Sequence, residues 1–303
     1  MKIAVVHQGA LGDTVLLASL LASLGERWPA AERTLVTRRS FGPLMLKLGL
    51  AELAFDADAA SHSAWFGPYQ TSTGSIELES SLPWVNGDLL LSAVSSGQDA
   101  WATHARQACP HAQILFFEPR PPPDYSGHVT TFHREQLGPL RLLPPVLVNR
   151  TQPRHGPLLI QPGSGGREKC WPLENFMRLA RAVSQSRIPV EMLLGEVELE
   201  RFSRRDIARL EREFAVHMNI PLAQVVDRLA ASRAYLGNDS GITHLAAWMG
   251  VPVVAVFGPS NAVQWRPVGP QVKVYQSPVD FCSAYGADEE FHQVLKLVLE
   301  QCG

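Results

Sequence analysis

This chain of 303 residues has little cysteine and no long apolar run. There are four cysteines, Cys109, Cys170, Cys282 and Cys302. They stand far apart with no CxxC and no Cys/His spacing, which argues against a disulfide framework and against a zinc site and points to reduced thiols. No apolar run reaches the ~20 residues of a spanning helix. The opening MKIAVVH is broken too soon by Gly9 and Gly12 to serve as a secretion signal. These features together predict a cytoplasmic protein, attached to a membrane at most at its surface. The net charge of −2 speaks against wholesale nucleic-acid binding. A full dinucleotide fingerprint is also missing: the front of the chain offers GxxG, at Gly9 and Gly12, where GxGxxG is needed.

What is present suits two globular cores. The hydrophobic content of 46% is that of an ordinary soluble protein, and the length suggests about two domains at ~100–200 residues each. Apolar runs at 3–7, 34–37, 88–94 and 113–117 read as strands. Helical patterns fall at 14–24, 45–48, 98–109 and 129–137. Residues 57–87 lack periodicity and carry Trp65, Phe66, Tyr69 and Trp84, either as a binding loop or as irregular core cover. The stretch 143–156 holds three prolines and is the expected linker. Strands alternate with helices in both halves, which predicts two doubly wound parallel sheets.

Two strand ends in the second half are fit for an anion. LLIQPGSGG, starting at Leu158, is a strand entering a glycine-rich loop, with Lys169 just beyond it and a helix begun near Pro172. Glycines there let backbone approach a pyrophosphate. YLGNDSGITH, starting at Tyr235, is a strand followed by a helix opened near Ile242 and closed at Gly250. The amides of Ser240 and Gly241 would lie at that helix's positive end. A carboxylate repels phosphate, so Asp239 is expected to cap the helix or to orient donors. Asp13, at the opening of the first helix, reads either as a cap or as a base. His244 reads either as a donor or as a packing histidine.

Three segments, GALGDTVLLASLLASL, QPGSGGREKCWPLENF and NDSGITHLAAWMGVPVVAVFGPS, resemble the signature regions of glycosyltransferase family 9, the heptosyltransferases of the lipopolysaccharide core. Residues 56–148 carry no matching motif. The resemblance implies an α/β, GT-B-like fold of two doubly wound Rossmann-like domains facing a central cleft. The acceptor-binding domain is expected at 1–148 and the nucleotide-sugar domain at 149–285, with a terminal helix at 286–303 packing back on the first. It also implies an inverting, metal-independent transferase that moves a sugar from an ADP-sugar (ADP-heptose) to a lipopolysaccharide-core glycolipid. Such an enzyme would meet the inner leaflet only in transient contact, through Arg33, Arg38, Arg39 and Lys47.

By the same resemblance Asp13 is the catalytic base, and Lys169 with Ser164, Gly165, Ser240 and Gly241 stabilises the departing diphosphate. Asp239 and His244 belong to the same site. Glu198, with Glu196 as the alternative, takes the ribose hydroxyls, the backbone at Ile220 meets the base, and Arg266 lies near the donor. No Asp-x-Asp pair is placed beside the phosphate loops, so no metal or other cofactor is expected. Two other readings stay open: a nucleotide-sugar-binding protein without transferase activity, and an NADP oxidoreductase with Arg38 and Arg39 on the 2′-phosphate.

Overall fold

The computed structural model describes residues 1–59, 85–147, 155–278, 281 and 288–303. Trp65, Phe66, Tyr69, Trp84, Cys282 and part of the expected linker lie outside the described residues. Cys109, Cys170 and Cys302 are free thiols. The chain divides into two compact units, Met1–Pro145 and Val146–Gly303.

The first unit is a five-stranded parallel sheet in the order β3-β2-β1-β4-β5. Its strands are β1 (Lys2–Val6), β2 (Glu32–Thr37), β3 (Leu53–Asp56), β4 (Leu89–Ser92) and β5 (Gln113–Phe116). Helices α1 (Leu11–Arg27), α2 (Gly42–Lys47), α3 (Ala100–Ala108) and α4 (Val129–Gln136) connect or follow them. β1 and β4 are central and almost wholly buried, because side chains on both faces meet helices. α1 begins earlier than the apolar periodicity suggests, since its first turn is Leu11, Gly12 and Asp13 and its N-cap is Ala10.

The second unit repeats the plan with six parallel strands in the order β11-β10-β9-β6-β7-β8. They are β6 (Leu158–Gln161), β7 (Val190–Leu194), β8 (Ala215–Met218), β9 (Ala234–Asn238), β10 (Val253–Phe257) and β11 (Val272–Gln276). The helices are α5 (Leu173–Gln185), α6 (Glu196–Arg201), α7 (Arg204–Glu213), α8 (Leu222–Ala231), α9 (Gly241–Trp248), α10 (Ala262–Trp265) and α11 (Asp288–Cys302). Phe176, Leu179, Ala180 and Val183 recur on one face of α5 and are fully buried. Each of the larger three contributes ~1.5–3 kcal/mol relative to exposure. Gly250 ends α9 in the left-handed region at φ 71°, a conformation glycine adopts without a Cβ penalty. α11 packs on β9, β10, β11 and α5 of its own unit through Phe291, Val294 and Val298. Both doubly wound sheets expected from the sequence are present.

Candidate active site

β6 is the first strand of its unit and sits between β7 and β9. From β6 the chain builds β7 and β8 on one side, then returns to build β9, β10 and β11 on the other. The strand order therefore reverses between β6 and β9, the usual ligand position in such sheets. Gln161 pairs with Gly237 across that boundary, so the loop after β6 faces the turn after β9.

Side chains tie the two segments together. Asn238 Nδ2 donates to Pro162 O at 2.8 Å and Gly163 O at 3.3 Å, while its Oδ1 accepts the Trp171 N–H at 2.9 Å. Ser164 Oγ donates to Asp239 O at 2.6 Å. That proton is thus directed to the neighbouring turn. Its lone pairs remain, but its hydrogen closes the two loops on each other.

Asp239 is buried and carries the site's charge pairing. Its Oδ2 lies 2.7 Å from Lys169 Nζ and its Oδ1 3.5 Å from His244 Nε2. Burial works to raise the Asp239 pKa, but His244 and the Lys169 ammonium outweigh it and hold the carboxyl at about 2. Asp239 is therefore paired with Lys169 and His244 and is not the N-cap of the helix that follows. The cap of α9 is Ser240, whose Oγ accepts the Thr243 N–H at 3.3 Å. The first amides of α9, including those of Gly241 and Ile242, have no intrahelical acceptor and mark the positive end of the helix. His244 is itself buried, and its Nδ1 has no partner among the described residues.

A buried polar chain supports this edge from below. Gln161 Nε2 donates to Glu198 Oε1 at 3.0 Å, and the Gly195 N–H donates to Glu198 Oε2 at 2.8 Å. Tyr235 OH donates to Gln161 Oε1 at 3.0 Å, and Ser240 Oγ reaches the same oxygen at 3.3 Å. Glu198 is 2% exposed, whereas Glu196 is solvent-exposed. Both Glu198 oxygens already serve internal donors, which makes it first a support of the glycine loop. Ile220 lies at the carboxyl end of β8 on the same edge of the sheet, half-buried beside the left-handed Asn219. The Arg266 N–H closes α10 on Ala262 O.

In the first unit the strand order likewise reverses between β1 and β4. His7 follows β1 and is 2% exposed. Burial pushes its pKa down to about 4, against the opposing pull of Asp13, so the ring is neutral near pH 7. Gly9 is required by close approach: a Cβ there would lie 2.4 Å from His7 Cε1 and 2.7 Å from Asp13 Cβ. Asp13 is in the first turn of α1, where its Oδ2 accepts the Ala10 N–H at 3.3 Å and meets Arg120 Nη2 at 2.7 Å. It is thus an end-of-helix carboxylate paired with an arginine, and not the N-cap.

Lys169, Asp239, Ser164, His244, Ser240 and Gly241 are brought together by the fold, with Gly165 in the same loop. Sequence reasoning missed Arg120, Asn238, Gln161 and Tyr235. Asn238 and Tyr235 lie in a quoted segment, but only the pairing of β6 with β9 gives them partners.

Residues 146–289 match the model of glycosyltransferase family 9 (heptosyltransferase). Lipopolysaccharide heptosyltransferase 2 of Escherichia coli K12 is 28% identical over 137 residues, 43% of this chain and 39% of that relative. The match therefore spans well under half of the relative's own length. Among solved structures, the E. coli heptosyltransferase WaaC with ADP superposes with a TM-score of 0.72 at 18% identity, covering 99% of this chain and 100% of that one. The dodecameric iron-containing heptosyltransferase TibC, in complex with ADP-D-β-D-heptose, superposes with a TM-score of 0.55 at 14% identity, covering 99% and 75%. At these identities the structures speak for the fold, which is the heptosyltransferase GT-B type that the resemblance implied. Through residues 146–289, this chain is similar to glycosyltransferase family 9.

Proposed function

We propose that the protein is an inverting glycosyltransferase that moves a heptose from ADP-heptose to a glycolipid of the lipopolysaccharide core. The observation that carries the reading is the Lys169–Asp239 pair at the point where the second sheet's strand order reverses. A cation held by a buried carboxylate stands beside a glycine loop and the positive end of α9, an arrangement complementary to a diphosphate.

In the proposed reaction, Asp13 takes the proton of the acceptor hydroxyl as that oxygen bonds to the anomeric carbon. The bond from that carbon to the β-phosphate oxygen breaks, and its electron pair leaves with ADP. Lys169 and the amides of Gly165, Ser240 and Gly241 meet the charge that develops on the leaving diphosphate. The nucleoside end falls to Ile220 and to one of Glu196 and Glu198; Glu198 can serve the ribose only by sharing an oxygen with Gln161 or Gly195. Side chains and amides here supply the charge that a divalent ion supplies elsewhere. Among the described residues no group of three or more His, Cys, Asp or Glu side chains is placed to hold a metal.

The NADP reading is less well supported, because Arg38 Nε donates to Gln8 O at 3.0 Å and so braces the front loop. Titration with ADP, UDP and NADP, followed by a transfer assay with ADP-heptose and a core glycolipid, tests the proposal. Preference for ADP with sugar transfer is expected. Tight NADP binding without ADP binding would overturn it, and ADP-sugar binding without transfer or hydrolysis would reduce it to a binding protein.

A further inference from the structure

Helix α6 holds the glycine loop at two points. Arg201, its last residue, places Nη1 2.8 Å from Ser164 O and Nη2 2.6 Å from Gly165 O. Three residues earlier, Glu198 is buried under the same loop, so close that a Cβ on Gly163 would come within 2.0 Å of its Oε1. A trans peptide sets its C=O and N–H on opposite sides. Holding the carbonyls of Ser164 and Gly165 against one guanidinium therefore turns the N–H groups of Gly165 and Gly166 away from it. Neither N–H meets an acceptor among the described residues. A Cβ added to Gly165 would meet nothing within 4 Å, so the loop is open there. A Cβ on Gly166 would instead meet Glu168 Oε1 at 2.2 Å, so the open space is at Gly165, where successive N–H groups turned the same way suit an anion.

We infer that Arg201 is a positioning residue for the leaving diphosphate, acting through the loop amides and not by touching the ligand. The inference rests on the reading of this loop as the diphosphate site. Gly163, Gly165 and Gly166 would otherwise lose much conformational freedom when a ligand binds. The clamp orders them beforehand and removes that cost from binding. Arginine suits the task because its planar fork presents two N–H groups to two neighbouring carbonyls at once, where an ammonium is a point charge.

Calorimetry on the full chain with ADP, pyrophosphate and adenosine tests this, using Arg201→Lys and Arg201→Met. Both variants are expected to lose affinity for ADP and pyrophosphate by about ten- to a hundredfold, by analogy with the loss of an outer partner at metal sites. Adenosine affinity should stay unchanged. A lysine variant with wild-type affinity would show that charge alone matters and would overturn the clamp. Equal losses for adenosine and ADP would also overturn it, since they would report general damage to the unit. If the wild-type chain binds ADP and both variants match it, this inference fails while the donor reading stands. If the wild-type chain binds neither ADP nor pyrophosphate, both fail.

Discussion

Lys169 Nζ sits 2.7 Å from Asp239 Oδ2, with the lysine side chain 36% exposed and the aspartate 8%. The anion is on the inside and the cation on the outside. Asp239 thereby fixes where the positive charge points without presenting its own charge to a ligand. Lys169→Ala should weaken ADP and lower turnover, because a donor aimed at developing phosphate charge is lost; one such donor is worth ~10²–10³ in kcat. Asp239→Asn should do nearly the same while leaving the ammonium in place, since the lysine then loses its anchor. EDTA should change neither activity nor ADP affinity. Activity that vanishes with EDTA and returns with a divalent ion would remove the metal-free part of the mechanism.

Asp13 carries the other half of the chemistry. Asp13→Asn should leave ADP affinity within about twofold and cut kcat by ~10²–10⁴, the range of general-base contributions. The change keeps the shape that meets Ala10 and Arg120, so helix α1 should persist. Near-wild-type turnover in this variant would leave Asp13 as a helix-end carboxylate only.

His7 gives the first unit a pH dependence whose sign is fixed by burial. Its pKa is about 4 in the folded chain against an ordinary 6.5. Between those values the unfolded chain binds the extra proton and the folded one does not. The stabilisation from a neutral His7 is thus fully present above pH ~6.5 and is lost as pH falls toward ~4, about 3 kcal/mol in all. His133 is also lowered by burial and acts in the same direction. Urea midpoints measured from pH 7 down to pH 4.5 should fall for the wild type and fall less steeply for His7→Gln. Parallel pH profiles would show that His7 does not carry the effect.

The proposed contact with an anionic bilayer narrows on inspection of its four basic residues. Arg33 is committed to Glu52 at 2.6 Å, and Arg38 braces Gln8 through Nε. We propose that the exposed side chains of Arg39 and Lys47 and the remaining face of Arg38 would meet a membrane surface, at ~1 kcal/mol per side chain. Sedimentation with anionic vesicles should show binding that fades between low and physiological salt and weakens when Arg38 and Arg39 become Ser. Binding that is indifferent to salt, or absent at low salt, would mean that the acceptor is found without this attraction.

Much of the fold could be read from the chain because both sheets are parallel and their central strands are buried on both faces. VVAVF and LLIQ are near-continuous apolar runs closed by glycine or small polar residues, so strand, loop and helix follow in plain order. The edge strand β3, only LAFD and half-exposed, has no such contrast and escaped notice. α1 starts ahead of its apolar pattern because Gly12 and Asp13 interrupt that pattern, although Asp13 is well suited to a first turn. At the site, residue types near glycine loops were legible and their partners were not. Arg120 lies 107 residues from Asp13 and Arg201 lies 37 from Ser164, separations that only the topology closes.

Two glycines in one loop should respond to substitution in opposite ways, and their contrast separates folding from binding. A Cβ on Gly163 would overlap the Glu198 carboxylate at 2.0 Å, and that carboxylate is itself fixed by Gln161 and Gly195. Gly163→Ala must therefore displace a buried hydrogen-bonded group, so it should destabilise the second unit by ~1–3 kcal/mol and reduce soluble yield. Gly165 has open space where its Cβ would be, and its φ lies outside the left-handed region. Gly165→Val should fold with an unchanged urea midpoint, yet its side chain would fill the volume assigned to the diphosphate. ADP affinity should drop at least ~100-fold, while adenosine, which does not enter the loop, should bind as before. A Gly165→Val chain that binds ADP normally would move the diphosphate away from residues 163–166 and take the proposed role of Lys169 with it.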